Sequence, residues 1–159
     1  MNKEIKEKLN ETEKILGNVE KEVGIEYAEW MKSKASIKFC KNIPEFPITN
    51  NYIYWCNLGI NIGSEQNKIR PVIVTKTKRE SKVCTVIPLT SERMNDTRWY
   101  HIDLSNQNST ALVEQLRNVS KMRILNPLRA KGKLTKISLE DWEKINKAII
   151  NYYSLAKLK

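Results

Sequence analysis

A change of hydrophobic period at two closely spaced prolines divides this chain into a helical part and a β-rich part. Before Pro44 and Pro47 apolar residues recur at helical spacing, and after them short β-prone runs dominate. Proline lacks a backbone donor and restricts the residue before it, so residues 41–47 are predicted to form an extended linker. We therefore expect a helical arm with its linker over residues 1–45 and a separate domain over residues 46–159.

The arm is predicted to be helical over residues 3–32. Its apolar positions follow the spacing of a coiled-coil seam, and Glu and Lys fill the other faces. Gly17 and Gly24 each weaken a helix by about 1 kcal/mol relative to Ala, so two shorter helices broken near Gly24 are an equal alternative. The arm could pack on its own domain or dock another chain. The seam consists of Ile5, Leu9, Thr12, Leu16, Val19, Val23 and Trp30.

The β-prone runs of the second part predict short strands at close spacing. This pattern is typical of a small barrel rather than of alternating strands and helices. A charged hairpin tip is expected over residues 76–82. The predicted strands cover residues 52–56, 70–75, 83–89, 99–104 and 110–116.

A helix is expected to close the domain. Ser138 has the position of an N-cap, and Asp141 is the third helical residue, where an acidic side chain favours a helix start. One apolar face is predicted to pack on the barrel. It consists of Leu139, Trp142, Ile145, Ile149 and Tyr153.

The net positive charge of the chain comes entirely from residues 51–159. Residues 1–50 carry nine Lys or Arg and nine Asp or Glu, so the remainder carries the whole formal charge of +10. A basic domain suits a polyanion such as RNA or DNA, although positive charge also promotes solubility.

Several classes are excluded by residue usage. The chain has three widely separated cysteines, none of them in a CxxC pair, and a single histidine. This residue usage predicts reduced thiols, no metal site and no cofactor. A single histidine also excludes a two-histidine acid–base pair. The sequence contains no apolar run of about 18 residues, so no membrane-spanning helix is predicted. The charged N-terminal segment lacks the apolar region of a secretory signal, so a cytoplasmic protein is expected.

Three segments carry a resemblance to a known family. Residues 54–59 (YWCNLG) and 63–74 (GSEQNKIRPVIV) resemble the start of the MazF/PemK toxin endoribonucleases, in which an aromatic strand, a G-S/H-E-Q loop and an R-P strand follow each other. Residues 86–91 (VIPLTS) are similar to the family strand that ends in Thr. Residues 112–119 (LVEQLRNV) are similar to its L-x-E-Q-I/L-R segment. The three keep their order and spacing, and the resemblance covers about residues 51–155.

The resemblance implies a mainly β (α+β) fold, a small SH3-like barrel of MazF/CcdB type with a C-terminal helix. It implies a homodimeric toxin that cleaves single-stranded RNA sequence-selectively, and a cognate antitoxin whose C-terminal segment occupies the RNA groove. Family members commonly begin with Arg-Gly-Asp, where this chain has Asn50-Asn51-Tyr52, so no role of these three residues is implied. The competing hypothesis is a non-catalytic barrel that binds nucleic acid or a protein target, as gyrase-poisoning toxins do.

Metal-free RNA cleavage uses the neighbouring 2′-OH as nucleophile and leaves a 2′,3′-cyclic phosphate and a 5′-OH. It requires proton removal, charge stabilisation and protonation of the leaving oxygen. Arg70 can hold two phosphate oxygens in its planar fork, and its high pKa favours charge stabilisation over acid catalysis. Thr90 can bond a phosphate oxygen or the 2′-OH, or can cap a turn. Glu65 can act as base, hold Arg70 or accept from a base edge.

Ser64, Gln66 and Lys68, on or beside the same loop, are predicted to contact RNA. Strand alternation places Gln115 and Arg117 on one face and Glu114 on the other. Arg117 can contact phosphate or Glu114 of a partner subunit.

Lys121 and Arg123 begin a stretch over residues 121–136 with six basic residues and no acidic one. This stretch is predicted to follow the RNA backbone, with a solvated turn as the alternative. His101, between Tyr100 and Ile102, is predicted to be structural.

Overall fold

The computed structural model describes residues 2–40 and 43–154. The chain separates into two compact units, Met1–Lys41 and Asn42–Lys159. Residues 41 and 42 of the predicted linker, and residues 155–159 at the end of the predicted second domain, lie outside the described residues, as does Met1.

The first unit contains two helices, α1 (Lys3–Leu16) and α2 (Lys21–Phe39). A single helix over residues 3–32 is therefore wrong, and so is a break near Gly24. The helix α1 ends at Leu16 because the next residue, Gly17, is a poor helix former. The Gly17 N–H donates to Glu13 O and closes the last turn. The Asn18 side-chain amide donates to Lys14 O and satisfies a second terminal carbonyl. No residue of either helix is buried.

The second unit is an antiparallel sheet with a C-terminal helix, which confirms the predicted fold class. The path order of its main sheet is β4-β5-β3-β2-β1-β7, and β6 also pairs with β3; β8 and β9 form a separate hairpin. The elements are β1 (Ile53–Gly59), β2 (Lys68–Thr77), β3 (Val83–Thr90), β4 (His101–Asp103), β5 (Thr110–Leu112), β6 (Arg117–Ser120), β7 (Ile124–Pro127), β8 (Arg129–Ala130), β9 (Lys133–Leu134) and α3 (Leu139–Tyr153), with 3-10 turns at Val113–Gln115 and Lys121–Arg123.

The predicted strand over residues 110–116 is interrupted. Leu89 of β3 pairs with Ala111, but Val86 pairs with Arg117, so three steps along β3 match six steps along its neighbour. The three extra residues cannot join the ladder and form the 3-10 turn Val113–Gln115. We call this turn the 113–115 bulge. β5 and β6 thus occupy successive halves of one edge of β3.

Two apolar clusters lie on opposite faces of the sheet, as strand alternation requires. The first cluster packs with α3 and includes Ile53, Ile73, Ile87 and Ile145. The second cluster consists of Tyr54, Cys56, Leu58, Val72, Val74, Cys84, Val86, Val119 and Ile124.

The helix α3 begins as predicted, because the Ser138 hydroxyl accepts from Asp141 N at 3.0 Å. Its predicted apolar face is only partly correct. Leu139 is 73% exposed, since it lies on the side of the first turn opposite the buried Asp141, and Tyr153 is also exposed. Asp141 is buried instead, and its carboxylate accepts from the backbone N–H and hydroxyl of Ser105.

The segment that precedes β1 packs on the second cluster. Tyr54 OH accepts from Thr49 N and donates to Pro47 O. Asn51 has a φ of 68°, a left-handed conformation that asparagine tolerates better than most residues, and its N–H donates to Val74 O. Its carbonyl accepts from Ile137 N, so Asn51 joins the start of β1 both to β2 and to the segment before α3.

Candidate functional site

Three arginines gather around one end of the second cluster. Cys56 of β1 pairs directly with Arg70 of β2. Burial and, second, the neighbouring Cys84 raise the pKa of the Cys56 thiol to about 12, against the opposing positive charges of Arg123 and Arg117. Arg70 lies at the same end through its strand pairing with Cys56, and Arg70 Nε and Arg117 Nη2 donate to the consecutive carbonyls of Asn67 and Gln66. We call Arg70, Arg117 and Arg123 the arginine site.

Two of these arginines hold backbone in place. Arg123 Nη1 donates to Asn57 O at 3.0 Å and to Leu58 O at 3.2 Å, which fixes the end of β1. Arg117 Nη2 donates to Gln66 O and to Gln115 Oε1 at 3.4 and 3.2 Å. Their fixed positions make them a positive frame for the site.

Arg70 has a different environment. Its Nε donates to Asn67 O at 2.9 Å. Within the part of the chain that the structure describes, this is the one hydrogen bond of the Arg70 side chain. Over residues 2–40 and 43–154 no ion pair joins Arg70 to Glu65, whose side chain is exposed on the loop. The half-buried guanidinium is thus oriented at Nε while its terminal nitrogens stay available for an anion.

The loop between β1 and β2 carries Ser64, Glu65 and Gln66, and Gln115 holds it from across the sheet. Gln66 N donates to Gln115 Oε1 at 3.3 Å, and Gln115 Nε2 donates to Ser64 O at 3.4 Å. These contacts join residues about 50 positions apart in sequence. The structure therefore brings together the two motifs that were predicted to contact RNA.

Two loop residues at this site were missed by the sequence analysis. Asn61 N donates to Asn67 Oδ1, and Asn61 Nδ2 donates to Gln66 O, each at 2.8 Å. Asn61 and Asn67 thereby close the loop whose Asn67 carbonyl orients Arg70. Asparagine in a turn is the available signal, since its side chain bonds nearby backbone.

Thr90 ends β3 and is buried. Its Oγ1 accepts from Glu92 N at 3.2 Å, the turn-capping contact that was the alternative to a role at the phosphate. The β2–β3 ladder ends at the Val72–Pro88 pair, and by strand alternation Arg70 and Thr90, each two residues beyond it, lie on the face of the second cluster. The accepted hydrogen bond leaves the hydroxyl proton able to donate in the same place.

The other predicted contacts differ in position. Lys68 is an exposed residue at the start of β2 with a φ of 68°. Lys121 Nζ donates to Lys78 O at 2.6 Å. Lys78 follows the last residue of β2, whereas Arg70 lies near the first. The structure does not bring Lys121 to the arginine site.

The described residues form neither a metal-binding cluster nor a membrane-spanning helix. Within residues 2–40 and 43–154, no group of three or more His, Cys, Asp or Glu side chains is arranged to hold a metal ion. In the same ranges no helix combines the length and apolar character needed to cross a bilayer.

Solved structures share this fold. MazF from Deinococcus radiodurans is 14% identical, with a TM-score of 0.56 over 68% of this chain and 97% of that chain. An endoribonuclease in complex with its cognate antitoxin, from a mycobacterial species, is also 14% identical, with a TM-score of 0.51 over 70% of this chain and the whole of the other. No curated protein sequence matches this chain.

The family comparison covers most of the second unit. Residues 50–153 match the family described as PemK-like, MazF-like toxin of type II toxin-antitoxin system, and this range is more than half of the chain. The chain therefore belongs to the PemK-like, MazF-like toxins of type II toxin–antitoxin systems.

Proposed function

We propose that this protein is a toxin that cleaves single-stranded RNA sequence-selectively and without a metal ion. The observation that carries the proposal is the environment of Arg70, a guanidinium that is oriented at Nε, has open terminal nitrogens among the described residues and lies next to Arg117, which donates to the adjoining carbonyl of Gln66. This arrangement suits a phosphodiester that gains charge during reaction.

In the proposed reaction the 2′-oxygen bonds to the adjacent phosphorus while the bond to the 5′-oxygen breaks. The products are a 2′,3′-cyclic phosphate and a 5′-OH. Arg70 stabilises the charge on the phosphoryl oxygens, and the Thr90 hydroxyl donates to one of them. Glu65 is the proposed base for the 2′-OH, because its exposed carboxylate lies on the loop that precedes Arg70 and forms no ion pair with any described residue.

RNA is proposed to bind along the loop between β1 and β2. The side-chain oxygen of Gln66 is buried and has no hydrogen-bond partner among the described residues, so it can accept from a base edge. Ser64 and Gln115 can read sugar or base, and Lys68, Arg117 and Arg123 can attract phosphate. Lys121 and the basic residues after Arg123 would contact a longer strand at a second position.

The proposed setting is a homodimer in the cytoplasm that a cognate antitoxin neutralises. Family membership supports the antitoxin, since these toxins belong to two-component systems. A mycobacterial structure with the same fold is described in complex with its cognate antitoxin.

The decisive test is cleavage of a long mixed-sequence single-stranded RNA in the presence of EDTA. Wild type is compared with Arg70→Ala, with Arg70→Lys, which keeps the charge but loses the fork, and with Arg79→Ala. Arg79 is an exposed arginine at the β2–β3 tip and controls for the loss of one positive charge. We expect discrete fragments with cyclic-phosphate ends, a loss of about 100- to 1,000-fold for Arg70→Ala, and near wild-type activity for Arg79→Ala.

A folded wild-type protein that binds RNA in a salt-sensitive manner but cleaves none would contradict the proposal. That outcome would instead support the non-catalytic barrel. Cleavage that disappears on addition of EDTA would contradict metal independence alone.

A further inference from the structure

The histidine of this chain is buried between two carboxylates. The His101 side chain is 2% exposed, and its Nε2 lies 3.0 Å from Glu114 Oε1. Its Nδ1 lies 3.0 Å from Asp96 Oδ2, in the segment after β3. A backbone hydrogen bond from Arg98 together with His101 holds the pKa of Asp96 below its usual range. The imidazole thus joins two segments that no strand ladder connects.

Glu114 is the central residue of the 113–115 bulge. Because these three residues are left out of the ladder with β3, their position depends on other contacts. Val113 N donates to Tyr100 O, and Tyr153 OH donates to Val113 O. These bonds fix the start of the bulge, while His101 fixes its centre through the Glu114 side chain.

The next residue of the bulge, Gln115, holds the loop of the candidate site. It accepts from Gln66 N, donates to Ser64 O and accepts from Arg117 Nη2. A shift of the bulge would therefore move the Gln115 amide away from the loop. The chain of contacts from His101 to the loop passes through Glu114 and Gln115.

We propose that His101 is a positioning residue for RNA binding. Through the Nε2–Glu114 bond it sets the 113–115 bulge, and through Gln115 it orders the loop that carries Ser64, Glu65 and Gln66. The imidazole itself does not touch RNA, because it is buried beneath the bulge. This inference rests on the proposed RNA-cleaving function.

Two substitutions separate the contacts of His101. The amide nitrogen of Gln in His101→Gln falls near the place of imidazole Nε2, and that of Asn in His101→Asn falls near Nδ1. His101→Gln therefore keeps a donor for Glu114, whereas His101→Asn keeps one only for Asp96. Asp96→Asn serves as a further control, since it changes the Nδ1 contact and leaves Glu114 paired.

The KM and kcat of RNA cleavage are measured for the full chain and these variants. We expect His101→Asn to raise KM about tenfold, because RNA must then order the loop as it binds. At saturating RNA the loop and Glu65 are ordered by the bound strand, so kcat is expected within about twofold of wild type. We expect His101→Gln and Asp96→Asn to keep KM within about twofold of wild type. A merely structural histidine would instead lower the fraction of active protein, so kcat would fall at unchanged KM in both His101 variants.

A second measurement does not depend on RNA. Heteronuclear NMR relaxation of the Gly63, Ser64 and Gln66 amides is expected to show a more mobile loop in His101→Asn than in wild type or His101→Gln. Equal loop order and equal KM in folded His101→Asn and wild type would overturn the proposal. If wild type cleaves no RNA, the proposed function fails, while the relaxation data still decide whether His101 orders the loop.

Discussion

Hydrogen-bond partners, rather than charge, distinguish the residues of the candidate site. Arg70, Arg117 and Arg123 carry the same charge at the same end of the second cluster. Arg117 and Arg123 donate to backbone carbonyls with their terminal nitrogens, whereas Arg70 donates to the described residues through Nε alone. A guanidinium whose terminal nitrogens already donate to carbonyls is less free to hold a phosphate. Arg70 is therefore the best suited of the three to stabilise charge that develops on a phosphate.

The hydroxyl of Thr90 has two uses that substitution can separate. Thr90→Val removes the acceptor for Glu92 N–H and the proposed donor to phosphate, while Thr90→Ser keeps both. We expect Thr90→Val to lower the free energy of unfolding by about 1 kcal/mol. We expect it also to lower kcat about 100-fold at a temperature where the protein stays folded. Urea unfolding and cleavage assays measure the two effects, and Thr90→Ser should match wild type in cleavage, although it loses a buried methyl group. Full activity in Thr90→Val would leave turn capping as the role of Thr90.

At the scale of elements, sequence periodicity predicted most strands but missed the 113–115 bulge. The residues around it, Thr110–Leu116, form an uninterrupted β-prone run, and nothing local marks three of them as surplus. The surplus arises only when β5 and β6 are matched to the same edge of β3. The motifs likewise predicted Gln66 and Gln115 separately, but their contact across the sheet depends on strand order, which local patterns do not encode.

The start of α3 shows the same limit. Ser138 was identified as the N-cap from its position, and the structure confirms it. The partner of Asp141 could not be predicted, because Ser105 lies 36 residues earlier in the chain. A buried carboxylate there ties the helix to the turn that follows β4.

Two neighbouring acidic residues test this tie. Asp141→Ala removes the acceptor of Ser105 N and Oγ, whereas Glu140→Ala removes an exposed carboxylate that pairs with Lys144. Both substitutions remove one negative charge from the first turn, so the helix dipole changes similarly. We expect the free energy of unfolding to fall by about 2 kcal/mol for Asp141→Ala and by about 0.5 kcal/mol for Glu140→Ala. Equal urea midpoints would show that the Ser105 contacts add nothing.

At the scale of the whole molecule, charge and structure divide the chain at nearly the same place. The first unit, Met1–Lys41, has nine Lys and eight Glu and thus a net charge of +1, and the sheet unit, Asn42–Lys159, carries the other +9 of the formal +10. The first unit buries none of its helical residues, while the sheet unit contains both apolar clusters. RNA attraction is therefore expected to be a property of the sheet unit alone.

Removal of residues 1–45 tests this expectation. The remaining chain keeps Phe46 and Ile48, which pack on the second cluster, and loses no net charge. If about four basic side chains neutralise phosphates, log Kd against log salt concentration should have a slope of about 3 for a single strand. We expect this slope and the RNA affinity to be the same for the full and shortened chains, and Arg70→Ala to lower the slope by about 0.7 in both. A shortened chain that stays folded but shows a lower slope would place part of the RNA surface on the arm, and one that aggregates would make the arm part of the folded core.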